Sequence, residues 1–349
     1  MRWPQLTSDP RDTLLTLVVG AVGAAVGWAV GAPIYMLLGP AVLVSLAGLA
    51  GMRTAIAAPL RNSCFVIVGL AVGAGFDQDA LGTMIRWPLA FVVIAVMIWA
   101  IMVACRWILS QFFGFDRRSA LLASAPGHLS FVIAMAADTG ADVARISITQ
   151  SVRLLLLTIV VPFAAFAMGV DLGGSIAPRG ELMSLSTLAM LLVAAVLVGL
   201  LFERLSVPAP LLLGPMVVSA LGHLTELAPG VLPVWLILPA YLVLGSLIGT
   251  RFSGVSLGAF LGGLAGGLAI TLIAVVLATA AALPVAMALG MPLPHVLVAF
   301  APGGLETMIA MGVVLGVVPG FVAACHIMRL LVLSVLLPLM LERPRRAKR

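Results

Sequence analysis

Three charged residues lie well inside long apolar stretches of the 349-residue sequence: Arg153, Glu306 and Arg329. A charged side chain at the centre of a membrane costs roughly 2.5–3.5 kcal/mol on insertion scales. Each of these residues therefore needs a partner, a change of protonation or contact with water. Ionisable residues inside membranes mark ion, proton or substrate pathways, so these three are the first candidates for function.

Each arginine follows a polar residue by three positions. Gln150 precedes Arg153, and His326 precedes Arg329. Because positions i and i+3 share a helix face, each pair should point in one direction. We predict that Arg329 pairs with Glu306, the only carboxylate near membrane depth in its half of the chain.

Arg153 has no matching acid, because Ser130 occupies the position equivalent to Glu306. Helix C-terminal carbonyls or an anionic substrate are possible partners, and two acids are also available, Asp138 and Asp142. Extension of the arginine side chain to the membrane interface is the structural alternative.

An Ala-Pro-Gly element stands in the middle of an apolar run twice, at 125–127 and at 301–303. Proline removes a backbone donor and clashes with the preceding turn, and glycine adds backbone freedom. We predict a broken, re-entrant or spanning helix at each element, with free N–H groups and carbonyls facing a substrate. A simple kink that improves packing is the alternative.

Polar residues follow each Ala-Pro-Gly element: His128 and Ser130 in the first, Glu306 and Thr307 in the second. We predict that Glu306 carries a coupling proton, with His128 or His326 as a second titratable group. A shallow hairpin with Glu306 at the interface, and a structural role for His128, are the alternatives. The predicted substrate-binding residues are Pro126, Gly127, His128, Ser130, Gln150, Arg153, Pro302, Gly303, Gly304, Glu306, His326 and Arg329.

No metal, cofactor or catalytic residue is predicted. The four histidines are scattered and form no HxxxH or HExxH spacing. The three cysteines lie singly in apolar segments, as small core residues do. We therefore do not expect an enzyme.

The composition predicts the type of secondary structure that must position these residues. Of all residues 62% are hydrophobic and only 9% are charged, whereas soluble domains average about 25% charged residues. This excludes a soluble enzyme and a disordered chain. One membrane helix with its loop takes roughly 25–30 residues, so we predict an all-α integral membrane protein with about 10–12 transmembrane segments.

The chain repeats itself at a nearly constant offset. Leu-Leu-Gly-Pro at 37–40 recurs at 212–215, and the Ala-Pro-Gly elements lie 176 residues apart. From these elements the alignment runs without a gap to Pro162 and Pro338, and it matches Arg153 with Arg329. We predict two homologous halves, which is the usual architecture of secondary transporters.

A GxxxG motif occurs once in each half. Gly69 and Gly73 form the first, and Gly245 and Gly249 form the second. Glycines at this spacing allow two helices to approach closely. We predict that both motifs are packing surfaces.

The topology depends on whether each Ala-Pro-Gly element spans the membrane. Six spans per half give parallel repeats, and five give inverted repeats. Leaving out Arg153 and Arg329, basic residues divide 13 inside and 4 outside for six spans, and 15 against 2 for five. The inverted arrangement is favoured, and both arrangements place the two termini in the cytoplasm.

The predicted organisation is a cytoplasmic N-terminus at 1–12, a first repeat at 13–170, a linker at 171–185, a second repeat at 186–341 and a basic cytoplasmic tail at 342–349. Five charges in the tail suit anionic headgroups rather than a DNA-reading module. The expected partners are the lipid bilayer and a small solute, with no direct nucleic acid. The sequence leaves a homo-oligomer open.

At these motifs the sequence resembles the Gram-negative AbrB membrane-protein family, over about 13–341 and in two copies. The first half also has the family-like Gly140–Val143, from which the second half departs at 316–319. Members are labelled ammonia monooxygenases or regulators of gene expression, so the resemblance implies either role. An oxidase needs a metal centre, and no ligand cluster is visible in the sequence.

Together these features predict a multi-pass bacterial inner-membrane protein. The favoured function is secondary transport of a small organic anion coupled to protons. A membrane regulator that acts indirectly or through a partner is the alternative, and an ammonia monooxygenase is less favoured.

Overall fold

The structure is a computed structural model and describes residues 9–76, 87–127, 129–169, 181–315 and 318–341. The described residues are almost entirely helical, with one isolated β-bridge between Leu182 and Val231. The helices are α1 (Pro10–Ala29), α2 (Tyr35–Leu49), α3 (Ala58–Gly73), α4 (Pro88–Phe112), α5 (Arg117–Ser124), α6 (Leu129–Thr139), α7 (Val143–Ala167), α8 (Leu185–Arg204), α9 (Pro210–Leu224), α10 (Val234–Gly249), α11 (Leu257–Leu289), α12 (Leu293–Phe300), α13 (Leu305–Val314) and α14 (Pro319–Met340).

Seven of these helices are long and apolar enough to cross a membrane: α1, α4, α7, α8, α10 with the following turn to Phe252, α11 and α14. Three further apolar helices, α2, α3 and α9, have 15 or 16 residues. They are shorter than the roughly 20 residues that a straight crossing requires. The prediction of an all-helical, multi-pass membrane protein is confirmed at this level.

Local sequence explains where several helices begin. Asp9 accepts a hydrogen bond from the Arg11 amide at the start of α1, and Ser184 accepts one from the Thr187 amide at the start of α8. Pro10 occupies the first turn of α1, where its missing N–H costs nothing. The first helix thus starts three residues before position 13, where the first repeat was predicted to begin.

Four described helices of the first half have counterparts of equal length in the second. Helices α1 and α8 have 20 residues each, α2 and α9 have 15, α3 and α10 have 16, and α5 and α12 have eight. Left-handed residues precede both 15-residue helices, Ile34 before α2 and Ala209 before α9. The other pairs differ, since α4, α6 and α7 have 25, 11 and 25 residues and α11, α13 and α14 have 33, 10 and 22.

The chain forms two compact units, and neither coincides with one half of the sequence. The first unit comprises described residues of 1–85, 158–257 and 306–323. The second comprises those of 86–157, 258–305 and 324–349. Each unit thus takes helices from both halves.

Glycines bring the helices of the first unit into close contact. Gly69 and Gly73 of α3 face the backbone of α9, where a Cβ atom would overlap carbonyl oxygens. Gly245 and Gly249 of α10 face α2, where a Cβ atom would overlap the Leu37 carbonyl oxygen and the Val44 side chain, respectively. The predicted role of both GxxxG motifs in close packing is confirmed, and each motif contacts a helix of the opposite half.

The second unit is built from α4, α5, α6, most of α7, α11, α12 and most of α14. Gly263 and Gly267 on α11 pack against Ile148 and Val152 on α7. The Cys105 thiol of α4 lies 3.8 Å from the Ile270 carbonyl oxygen of α11. These contacts fix α7, which carries two of the predicted site residues.

A first prediction concerns the tightest glycine contacts. Gly39→Ala should place a methyl group against the Gly23 backbone, and Gly214→Ala should place one 2.7 Å from Gly199 atoms. We expect each to lower the free energy of unfolding by about 1–3 kcal/mol, because the helices cannot separate without losing other contacts. Gly262→Ala is the control, since open space surrounds that helical position. Thermal unfolding in detergent measures the three variants, and equal stability of all three would contradict the packing argument.

Candidate functional site

Helix α5 has only eight residues, and side chains hold both of its ends. At the start, the Asp116 carboxylate accepts hydrogen bonds of 3.0 Å from the amides of Arg118 and Ser119. Partial burial disfavours its ionised form, but the hydrogen bonds outweigh this and lower the pKa of Asp116 below its ordinary value. This cap therefore stabilises α5 at neutral pH and is lost as the pH falls through that lowered pKa.

At its other end, α5 stops at Ser124, and α6 begins at Leu129. We call Ala125–Gly127 the first junction. The Gln150 amide donates hydrogen bonds of 3.0 Å to the Leu122 and Ala125 carbonyl oxygens. Carbonyls at a helix C-terminus have no partner within the helix, so Gln150 from α7 satisfies two of them.

Arg153 lies one turn further along α7 and binds the same junction. Its Nη1 donates to the Ala125 carbonyl oxygen at 3.0 Å, and its Nη2 donates to Gln150 Oε1 at 2.6 Å. The side chain is only 3% exposed. Of the partners considered for Arg153, the structure has the helix C-terminal carbonyls, and the guanidinium is buried rather than extended to an interface.

The second half contains a matching arrangement at the end of α12. We call Ala301–Gly304, between α12 and α13, the second junction. Arg329 Nη1 donates to the Ala301 carbonyl oxygen and Nη2 to the Gly303 carbonyl oxygen, both at 2.8 Å. Ala125 and Ala301, the residues that end the two short helices, have nearly the same backbone angles. Each arginine thus lies at the negative end of a helix dipole.

Arg329 also faces the first junction. Gly127 has a φ of +107°, which disfavours any residue with a side chain. A Cβ atom at this position would lie 3.4 Å from Arg329 Nε. Glycine at 127 therefore allows the first junction to approach the guanidinium closely.

Neither guanidinium has a carboxylate hydrogen-bond partner among the described residues. All their hydrogen bonds go to backbone carbonyls or to Gln150, and the Nε atom of each is buried without a partner. The two positive charges are close enough to repel each other. This part of the second unit has an excess of positive charge and unused N–H donors.

The other predicted residues of the second unit lie around these arginines. Pro126, Pro302 and Gly303 are buried, and Gly304 is half-buried at the end of the second junction. His326, which matches Gln150 in the repeat, is fully buried on α14. The second unit therefore brings together nine of the predicted residues.

Three predicted residues stand apart from this group. Glu306 belongs to the first unit, where it is half-buried in the first turn of α13. Its pairing with Arg329 stays a prediction, because the two residues belong to different units. His128, the side chain of Ser130 and the basic tail at 342–349 lie outside the described part of the chain, as does most of the linker.

The first unit gives Glu306 a charged neighbour that the sequence analysis missed. Arg251, in the turn that follows α10, interacts electrostatically with Glu306. The buried Cys64 thiol of α3 also lies within electrostatic range of Glu306. A sequence signal existed: at the offset of 176, Arg251 matches Gly75 and Glu306 matches Ser130, so both charges are absent from the first half.

The chain is similar to known proteins over most of its length. A family profile described as "Transition state regulatory protein AbrB" matches residues 36–343. The chain belongs to the AbrB family. This confirms the resemblance that the duplicated motifs indicated.

Two relatives of this AbrB-family chain are similar at low identity. "Putative regulator AbrB" of Escherichia coli (strain K12) is 26% identical over 235 residues, which cover 64% of this chain and 65% of the relative. "Uncharacterized protein YhjN" of Bacillus subtilis (strain 168) is 26% identical over 292 residues, covering 78% of this chain and 75% of that protein. The chain thus matches slightly less than two thirds of the E. coli protein's length.

Within the described ranges, no group of three or more His, Cys, Asp or Glu residues is placed to hold a metal ion. Cys64, Cys105 and Cys325 are buried and free. Guanidinium groups such as those of Arg153 and Arg329 are chemically suited to an anion.

Proposed function

We propose that this AbrB-family protein is a secondary transporter of a small organic anion. The observation that carries the proposal is the pair of buried guanidinium groups, Arg153 and Arg329, each held by carbonyls at an interrupted helix. Positive side chains anchored at broken helices suit reversible capture of an anion inside a membrane protein.

The energetics favour a ligand over a purely structural role. Burying a charged side chain costs several kcal/mol after relaxation, and helix C-terminal dipoles return about 0.3–2 kcal/mol each. Carbonyl dipoles lower the cost for Arg153 and Arg329 but do not cancel two full charges. An anion that bound both groups would offset much of the remaining penalty, and this would favour the loaded state.

The proposed architecture is two homologous halves of inverted topology in the bacterial inner membrane, with both termini in the cytoplasm. The repeated motifs, the matched helix lengths and the exchange of helices between the two units support the duplication. The distribution of basic residues supports the orientation. Each half contributes one short helix, one junction and one arginine to the second unit.

We further propose that Glu306 is the coupling group and that Arg251 is its charged neighbour. Among the described residues, the Cys64 thiol also lies within electrostatic range of Glu306. Proton binding to Glu306 would remove its attraction for Arg251, and this offers a local change of charge that transport can use.

The second candidate function is a membrane-embedded regulator of gene expression, and the name of the E. coli relative favours it. Such a protein would act indirectly, by moving a metabolite, or would bind a partner through cytoplasmic segments. No direct contact with nucleic acid and no catalytic role is proposed in either case. The bilayer and a small solute are the partners of the transporter, and a homo-oligomer is compatible with both functions.

The transport proposal predicts uptake that depends on both arginines. Proteoliposomes containing the full chain should accumulate at least one labelled anion from a panel of mono-, di- and tricarboxylates. Arg153→Gln and Arg329→Gln should each reduce that uptake at least about 30-fold, as expected when one partner of a buried charged contact is removed.

Arg204→Gln is the matched control, because Arg204 is exposed at the end of α8. It should transport normally. Normal uptake by both buried-arginine variants, or no uptake of any anion by the unmodified protein, would reject this proposal. Circular dichroism and size-exclusion profiles verify that the variants are folded.

The coupling proposal predicts an altered pH response. In Glu306→Gln, uptake should no longer respond to an imposed pH gradient. Initial rates measured with and without a gradient test this, and an unchanged response in Glu306→Gln would exclude Glu306 as the coupling group.

Deletion of Arg343–Arg349 distinguishes the regulator from the transporter. Transport should survive the deletion, since the tail contains none of the proposed binding residues. Loss of a regulatory phenotype with intact membrane insertion and intact uptake would instead favour regulation through a partner. Reporter expression and uptake are measured in the same strain.

A further inference from the structure

We infer that the site formed by Arg153 and Arg329 binds a compact dianion, a small molecule with two negative charges. This inference rests on the proposed function and narrows its substrate class. It follows from the number of free donors, from their proximity and from the net charge of the site.

Each guanidinium has N–H donors that the described residues do not use. An arginine carries five N–H groups, and Arg153 and Arg329 each use two of them within the protein. No described residue accepts a hydrogen bond from the other three N–H groups of either side chain, which include the Nε–H. Both residues are at most 3% exposed, and both Nε atoms lack a partner. Unused donors on a buried charge are costly unless a ligand fills them.

The two guanidinium groups converge on one short segment. Arg153 binds the Ala125 carbonyl oxygen at 3.0 Å, and Arg329 Nε lies 3.4 Å from the place of an absent Cβ at Gly127. Residues 125 and 127 are two positions apart, so their Cα atoms are separated by at most about 7 Å. One small molecule is therefore long enough to reach both side chains.

The charge balance selects a dianion over a monoanion. The described partners of both side chains are neutral oxygens, so they leave two positive charges that repel each other. A monoanion would leave one buried charge uncompensated, whereas a dianion would neutralise both and accept hydrogen bonds from each guanidinium. The buried residues Ala125, Pro126 and Pro302 border the site and favour a compact ligand.

The experiment compares matched anions on the purified full chain in detergent at constant ionic strength. Malonate, succinate and inorganic phosphate are the dianion probes, and acetate and butyrate are the monoanion probes, at a pH where both carboxyl groups of the diacids are ionised. Ligand-dependent thermal unfolding gives apparent affinities. We expect at least one dianion to bind about 10- to 100-fold more tightly than the monocarboxylate of similar size, the range that one charged hydrogen-bonding group contributes.

Charge variants provide the second readout. Arg153→Gln and Arg329→Gln should each abolish the preference for the dianion, so that mono- and dianions bind equally weakly, while Arg204→Gln should retain it. Equal affinity for mono- and dianions in the unmodified protein would overturn the inference, and that comparison requires no variant to fold. A preference that survives in either buried-arginine variant would also overturn it.

The two proposals fail separately. Dianion binding that depends on both arginines, with no uptake into proteoliposomes, would leave the binding site standing and reject transport. Uptake of a monoanion that depends on both arginines, with no preference for dianions, would leave transport standing and reject the dianion.

Discussion

The second unit depends on one constraint, two buried positive charges that have no carboxylate hydrogen-bond partner within the described part of the chain. A guanidinium group tolerates such a place only if oxygens surround it, and here backbone carbonyls supply most of them. Helices α5 and α12 must therefore be short and must end at the junctions, because carbonyls within a helix are already paired. Pro126 and Pro302 favour such an end, since proline disfavours the α conformation in the residue before it. The arginines and the prolines are thus two parts of one requirement.

The first unit solves a different physical problem. Membrane helices gain little from burying apolar surface against each other, because lipid is as apolar as the side chains that it replaces. Close backbone contact must supply the attraction instead, and glycines at Gly23, Gly39, Gly69 and Gly245 permit it. Since α3 contacts α9 and α10 contacts α2, neither half of the chain can complete this unit alone. The packing therefore ties the halves together while the second unit presents the charged groups.

Much of the fold was predictable because it follows from the composition and from the fixed offset between the two halves of the sequence. The scarcity of charge predicted membrane helices, and the fixed offset predicted which residues correspond, such as Arg153 with Arg329. The partners of Arg329 were harder to predict than those of Arg153, for which helix C-terminal carbonyls were among the partners considered. A backbone carbonyl has no signature in a sequence, since every residue has one, and only the end of a helix makes it available. The search for a carboxylate therefore led to Glu306, whereas the described hydrogen bonds of Arg329 go to Ala301 and Gly303.

Arg251 was overlooked for a related reason. It follows an apolar run, so a count of charges along the sequence treats it as an ordinary loop residue. Its electrostatic link to Glu306 joins residues 55 positions apart, which only the folded chain brings together. The comparison of the two halves carries the missing information, because Gly75 and Ser130 replace both charges at once. Both halves have a buried arginine at a junction, whereas only the second half has this pair of charges.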